Sequence, residues 1–266
     1  MVWNIPGATY DPTRTQIFSS GGGVQSAAIT ALIVRGELPK PDLAVIVDTE
    51  REKSTTWEYL EAVTAPALAG VGVKIHRVLK SDFATCDLLT CGKIAIPAFT
   101  SAGVSVGKLP TYCSNQWKSR VMQRWATKRQ GVEAAQTWIG FSVDEIGRAA
   151  RMIKRKPGKW GVRFPLLESG MNRQDCLALV KEMGWPVPPR SSCWMCPNMA
   201  MREWREVQTG PDWGKAIAFE REIRQDDPNI WLTDQCRPVE TADFSIINET
   251  MWGDSGAACE SGLCFV

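Results

Sequence analysis

The first half of the chain alternates short β-like runs with helix-like stretches: 15–20, 24–35, 43–48, 55–68 and 73–79 read strand, helix, strand, helix, strand. Apolar strands separated by helices bury both faces, so the alternation predicts a doubly wound, mostly parallel sheet of about five strands with helices on its faces. Ser54, Thr55 and Thr56 offer capping hydroxyls where the second helix begins, with Glu58 in its first turn. The irregular stretch 86–110, rich in Gly, Thr, Ser and Ala, reads as a long active-site loop. A helix is expected over 115–130 and a further strand over 136–141.

Beyond Phe141 the character changes. Residues 148–163 hold seven Lys or Arg and no acid. A helix is expected over 173–183, stopped by Gly184 and by Pro186, Pro188 and Pro189. Another covers 211–224, and the tail from Asp254 is rich in Gly, Ser and Cys. A length of 266 residues suits one α/β domain of roughly 150 to 200 residues with an elaboration. The expected division is an α/β nucleotide-binding core over 1–150 and a helical, cysteine-containing region over 151–266 packed on it. With 44% hydrophobic and 23% charged residues, disordered and fibrous classes are excluded. No apolar run approaches the ~20 residues that cross a bilayer, and the start of the chain has no basic, apolar signal pattern. The expected location is therefore the cytoplasm, with no membrane partner.

Ser19-Ser20-Gly21-Gly22-Gly23-Val24-Gln25-Ser26 follows an apolar strand and opens a helix. Glycines let backbone N–H groups approach an anion, and the helix start adds partial positive charge, so this junction suits phosphate. It lacks the Lys-Ser/Thr ending of a Walker loop and is not G-x-G-x-x-G. A tight packing turn is the other use of such glycines. The next strand ends in Asp48-Thr49-Glu50.

Together these segments resemble the PP-loop ATP-pyrophosphatases, and in particular their phosphoadenylylsulfate-reductase-like branch. The resemblance runs over roughly residues 15–225 and implies an adenine nucleotide alpha-hydrolase-like fold. It implies that Ser19, Ser20, Gly21, Gly22, Gly23, Gln25 and Ser26 hold nucleotide phosphates, with Asp48, Thr49, Glu50 and Gly140 beside them. Gly21 stands where that family's loop has its first Ser. The stretch Gly140 to Arg148 is similar to the Gly-x-Arg-x-x-Glu-Ser-x-x-Arg type of segment, with Ser142 at the first Arg. Asp144, Glu145 and Arg148 are candidates to position phosphates or magnesium, or form a capped helix start with an i, i+3 ion pair.

Nine cysteines and no secretion pattern favour reduced thiols, metal ligands or redox groups over disulfides. Cys193-Trp194-Met195-Cys196 is a C-x-x-C, suited to a metal, a cluster or a redox dithiol. Tyr112-Cys113-Ser114-Asn115-Gln116-Trp117-Lys118 resembles the Cys-Cys-x-x-x-Lys segment that partners a C-x-x-C on the four-iron cluster of adenylylsulfate reductases, with Tyr112 at the first Cys. The resemblance makes Cys113, Cys193 and Cys196 the metal ligands of a 4Fe-4S cluster, with zinc as the alternative metal. Either Cys236, Cys91 or Cys86 supplies a fourth ligand, or one iron stays open for sulfide. Glu260-Ser261-Gly262-Leu263-Cys264 is similar to the reductases' Glu-Cys-Gly-Leu-His tail, but Ser261 replaces the nucleophile, leaving Cys259 or Cys264 as substitutes. Cys176 is expected in the core. The single histidine, His76, is expected to be structural.

Lys118, Arg120, Arg124 and Lys128, with the cations of 148–163, suggest a nucleic-acid surface or a solvated basic face. Most of the 12 Trp residues are expected to pack the small helices of the second half.

The implied function is ATP-dependent sulfur transfer to a nucleic acid or nucleotide, with ATP, Mg2+ and the cluster as cofactors. Asp48, Lys118, Asp144 and Arg148 are the catalytic candidates. A sulfur donor such as a cysteine desulfurase is the implied partner, and a homodimer is a candidate assembly. The alternatives are a phosphoadenylylsulfate or adenylylsulfate reductase, and a nucleotide-binding module that has lost catalysis.

Overall fold

The computed structural model describes residues 6–84, 87, 94–102, 105–153 and 158–245. Strand β1 (Thr15–Ser19) carries the fully buried Ile17 and Phe18 and passes through the glycine turn into α1 (Val24–Val34). Nine of the eleven α1 residues are buried, as befits a helix apolar on all sides. Then come β2 (Leu43–Asp48) and three consecutive helical pieces: α2 (Ser54–Tyr59), a π turn (Leu60–Thr64) and α3 (Ala65–Gly70). Strand β3 (Ile75–Leu79) leads into the short α4 (Lys80–Phe83). After β4 (Phe99–Thr100) and β5 (Gly107–Lys108), a second π turn (Ser114–Ser119) opens α5 (Arg120–Gln130). The remaining elements are β6 (Ala135–Trp138), α6 (Ile146–Met152), β7 (Trp160–Arg163), α7 (Pro165–Glu168), α8 (Arg173–Glu182), α9 (Met201–Thr209), α10 (Trp213–Asp226) and β8 (Ile230–Trp231).

The main sheet has the order β3-β2-β1-β6-β7, and every neighbouring pair is parallel. The expected α/β fold is therefore present, with all five strands parallel. Strand β7 comes from the stretch expected to form the elaboration, beyond residue 150. The chain builds outward from β1 to β3 and then returns to the other side of β1 with β6. Strand order thus reverses between β1 and β6, and the crevice beyond the carboxyl ends of two such strands is where open α/β sheets hold ligands.

A second core lies under the C-terminal helices, built from Ile96, Trp117, Trp194, Trp204, Phe219, Ile223 and Leu232. Strands β5, β4 and β8 form a small antiparallel sheet beside it. Trp194 and Trp204 sit where the second half's tryptophans were expected, whereas Trp125 and Trp138 pack in the cores flanking the parallel sheet. Asp212 ties the two parts together by accepting the Ser54 backbone N–H and hydroxyl, both at 2.8 Å. His76 lies in β3 with its ring 5.1 Å from Trp125, and burial, then Lys74, lowers its pKa. Cys176 is buried in the core beneath α8. Cys86, Cys91, Ser261, Cys259, Cys264 and the middle of the basic run lie outside the described residues. Among those described, no helix is long and apolar enough to cross a membrane.

Candidate functional site

The turn between β1 and α1 shapes the first half of the site. Gly22 adopts φ +77°, and a Cβ there would lie 2.5 Å from Thr56 Cγ2, so side-chain-bearing residues are excluded on both counts. The Gly21 N–H donates to Ser26 Oγ at 2.8 Å, and the Gly22 N–H to Ser20 Oγ at 3.3 Å. Gly23 is the N-cap of α1 and no side chain caps the helix start, which leaves its first N–H groups for an external acceptor.

A cavity of about 640 Å³ opens over this turn, at the reversal point of the sheet. Gly21, Gly23, Gln25 and Ser26 form its floor and Gly140, at the end of β6, one wall. Gly140 must be small, because a Cβ would stand 3.2 Å from Gln25 Cβ. Asp144 and Arg148 also line the cavity. Arg148 is buried, ion-paired with Glu145 and stacked over Phe141 at 4.6 Å. Burial lowers its pKa, Glu145 opposes the shift, and Arg151 and Arg190 add to it, so these guanidiniums stand close enough to repel. Gln25 donates to Glu145 at 3.2 Å, and Asp144 accepts the Arg173 backbone N–H at 2.6 Å.

Sequence reasoning missed much of the wall. Asn172, Arg173, Arg190, Ser191 and Arg202 all line the cavity. Asn172 and Asp175 form a reciprocal capping box that fixes the start of α8. The usable signal was Arg190-Ser191-Ser192, polar residues standing directly before the C-x-x-C.

Other expected residues face elsewhere. Ser19 is buried at the end of β1. Asp48 is buried too, paired with Arg77 at 2.6 Å and accepting the Glu50 N–H at 2.6 Å, and it is not part of the cavity lining. Glu50, at φ +62°, pairs with Lys80 at 3.6 Å. Thr49 is buried, its Oγ1 3.4 Å from Cys193 Sγ.

That contact leads to the second half of the site. Segment 51–53 pairs with 192–194: Glu52 and Cys193 form an antiparallel bridge, and the Trp194 N–H donates to Arg51 O at 2.8 Å. The C-x-x-C loop is thereby fixed to the end of β2, and Cys113 comes in from the second π turn. Cys113, Cys193 and Cys196 pack against one apolar cluster. Burial pushes each thiol up to about 12; Cys193 adds to this at Cys113, Glu52 and Cys196 at Cys193, and Cys113 at Cys196. The three sulfurs therefore lie within electrostatic range of one another. Lys118 is buried beside them and paired with Glu52 at 2.7 Å. Burial alone would lower the pKa of this ammonium, but Glu52 and the thiols more than offset that and raise it. Glu52 Oε2 and Trp117 Nε1 are buried without hydrogen-bond partners. The Cys236 thiol is raised by burial and then by Asp234. Among the described residues, no three His, Cys, Asp or Glu side chains converge on a single metal ion.

The two halves adjoin. Ser191 packs against Gly22 and Gly23 on the cavity floor, and Cys193 follows two residues later. No family model matches the chain, and no curated protein does. Solved structures do match. One is the U34-tRNA thiolase NcsA from Methanococcus maripaludis with its [4Fe-4S] cluster: 12% identity, TM-score 0.47, covering 84% of this chain and 70% of that one. A phosphoadenylyl-sulfate reductase from Candida auris in a phosphate complex matches at 14% identity and TM-score 0.41, over 67% of this chain and 76% of that one. NMN synthetase from Francisella tularensis matches at 14% identity and TM-score 0.38, over 66% and 63%.

Proposed function

We propose that this chain is an ATP-pyrophosphatase of the PP-loop kind that activates an oxygen of a nucleotide or nucleic acid as its adenylate and replaces it with sulfur. The observation that carries this reading is the Arg190–Cys193 segment, which sets the wall of an anion cavity against a three-thiol cluster. A cavity alone suits any nucleotide binder; the adjoining thiols give the second half-reaction a place to occur.

In this reading the N–H groups at the start of α1, with Arg148 and Arg190, hold the triphosphate. Asp144 and Glu145 are the wall carboxylates nearest the phosphates, and a magnesium ion, which needs only one or two when phosphates supply the rest, would draw one of them from its present partners. The substrate oxygen attacks the α-phosphorus and the bond to pyrophosphate breaks. Hydrosulfide then adds to the activated carbon and AMP leaves with the original oxygen, so no electrons are exchanged. Asp48 is a positioning residue, holding the 49–52 segment against Cys193.

The thiols fit an iron–sulfur cluster. Soft thiolates select such clusters, the three lie in mutual electrostatic range without converging on one ion, and Lys118 balances negative charge there. A bound cluster would supply a metal to carry the incoming sulfur. Cys113, Cys193 and Cys196 would hold it, while Thr49 and Glu52 orient Cys193. The test is pyrophosphate release from ATP on addition of bulk tRNA, DNA or nucleotides. Substrate-stimulated release with AMP formation supports the proposal; ATP binding without release under every substrate marks a binding module instead. Sulfite formation from adenylylsulfate with thioredoxin would assign the reductase chemistry.

A further inference from the structure

The cavity carries more positive charge than a nucleotide answers. Among the described residues, five arginines line it against two carboxylates. Both carboxylates are engaged: Glu145 with Arg148 and Gln25, Asp144 with the Ser142 hydroxyl and the Arg173 N–H. A magnesium-bound triphosphate arrives partly neutralised, and the N–H groups at the start of α1 with Arg148 and Arg190 suffice for it. Those two arginines are buried and half-buried, and each is anchored, Arg148 to Glu145 and Arg190 to Glu203.

Arg151, Arg173 and Arg202 lie further out, Arg173 donating to Gln25 Oε1 at 3.4 Å. All three are exposed, and they reach the cavity from separate elements: the last turn of α6, the first residue of α8 and the first turn of α9. Exposed side chains that line a cavity mark its mouth. On the thiol side the cations lie among carboxylates, Arg51 and Lys80 paired to Asp87 and Lys118 to Glu52. Positive charge gathered on one mouth raises the local concentration of anions, and guanidinium forks match phosphate oxygens.

We propose that Arg151, Arg173 and Arg202 bind the phosphodiester backbone of a nucleic-acid strand whose target nucleotide reaches into the cavity. This rests on the adenylation reading and narrows its substrate to a polymer, because a mononucleotide lying within the cavity would leave the outer arginines unanswered.

The test is fluorescence anisotropy with a short labelled single strand, as RNA and as DNA, across a salt series, beside binding of a fluorescent ATP analogue. Each backbone phosphate neutralised on a single strand contributes about −0.7 to the slope of log affinity against log salt. The triple variant R151E/R173E/R202E should flatten that slope by about 2 and weaken strand binding at least about tenfold, while the affinity for the ATP analogue falls by a smaller factor than that for the strand. If the triple variant does not fold, each single reversal should remove about 0.7 from the slope. An unaltered slope, or wild-type protein that binds the ATP analogue but neither strand, overturns the proposal. So does a variant that keeps the strand and loses adenosine 3',5'-bisphosphate, which would assign the mouth to a small nucleotide. Failure of wild type to bind the ATP analogue overturns the adenylation reading instead, and the strand titration still decides what the mouth arginines hold.

Discussion

The anion cavity and the thiol cluster sit on either side of one segment, 190–193, and are built on opposite principles. The cavity is open, excess positive and made from backbone N–H groups and guanidiniums. The thiol cluster is partly buried, its nearby cations are paired with carboxylates, and its thiols are held neutral at pH 7 by desolvation. Preorganised N–H dipoles and arginines bind phosphate without any change of protonation. Buried thiols must lose protons to take a metal, so that half is tuned by pH and by what it binds. The difference teaches that the two halves should be separable by mutation although they share a segment.

The largest separating effect is expected at Gly22. Gly22→Val places a branched side chain at φ +77° against Thr56, where backbone strain alone costs roughly 1–3 kcal/mol. Calorimetry should show a lower melting temperature, and the ATP analogue should no longer bind. Retained metal uptake by the thiols would sharpen the comparison; joint loss would show that Ser191 transmits the distortion.

Next is Arg148→Ala, which removes a guanidinium from the cavity while leaving Cys193 untouched. Loss of a charge-assisted hydrogen bond is worth about 1.5–3 kcal/mol, so nucleotide affinity should fall roughly ten- to more than hundredfold. Equilibrium titration checks this, and metal content should not change.

Alkaline stability separates the halves without mutation. The three thiols are raised from an ordinary 9.0 to about 12, so in metal-free protein the unfolded chain loses these protons at lower pH than the folded one. Between those values the folded state binds more protons, and stability must fall as pH rises. Denaturant midpoints should therefore drop between pH 9 and 12, and Cys113→Ala should lessen the drop. By the same linkage, metal uptake should strengthen with pH, whereas phosphate binding in the cavity should respond little over neutral pH.

The smallest effect is expected for Arg120→Ala and Lys128→Ala. The cations of the second π turn and α5 do not form one surface: Lys118 is paired with Glu52, and Arg124 donates to Phe83 O at 2.7 Å. Strand-binding titrations of these variants should match wild type, whereas an effect as large as that of the mouth arginines would move the nucleic-acid surface to α5.

The parallel sheet was legible because its strands are short, apolar and separated by helices, and β2 falls exactly on 43–48, as expected. Strand β7 was not, since four residues after a basic run leave too short a pattern to read. The glycine turn was legible because its constraint is local. The pairing of Asp48 with Arg77 has a reason the sheet supplies. Arg77 lies opposite Ile46 in register, and Ile46 and Asp48 point to the same face, so Arg77 meets Asp48 diagonally, a contact no local spacing in the sequence announces. The wall arginines depend on how α6, α8 and α9 pack around the sheet, which no local spacing encodes. The three cysteines came together because motif order survives folding even where the contacts are long-range.

The central claim is that a nucleotide cavity and a cluster-holding thiol centre share this segment. Anaerobic purification with iron, sulfide and zinc analysis of wild type, Cys113→Ala and Cys193→Ala tests it most directly, with binding of the ATP analogue measured on the same samples. The account predicts about four irons per chain, lost in both variants while ATP binding persists. Zinc or no metal in wild type, or iron unaffected by either substitution, would contradict it.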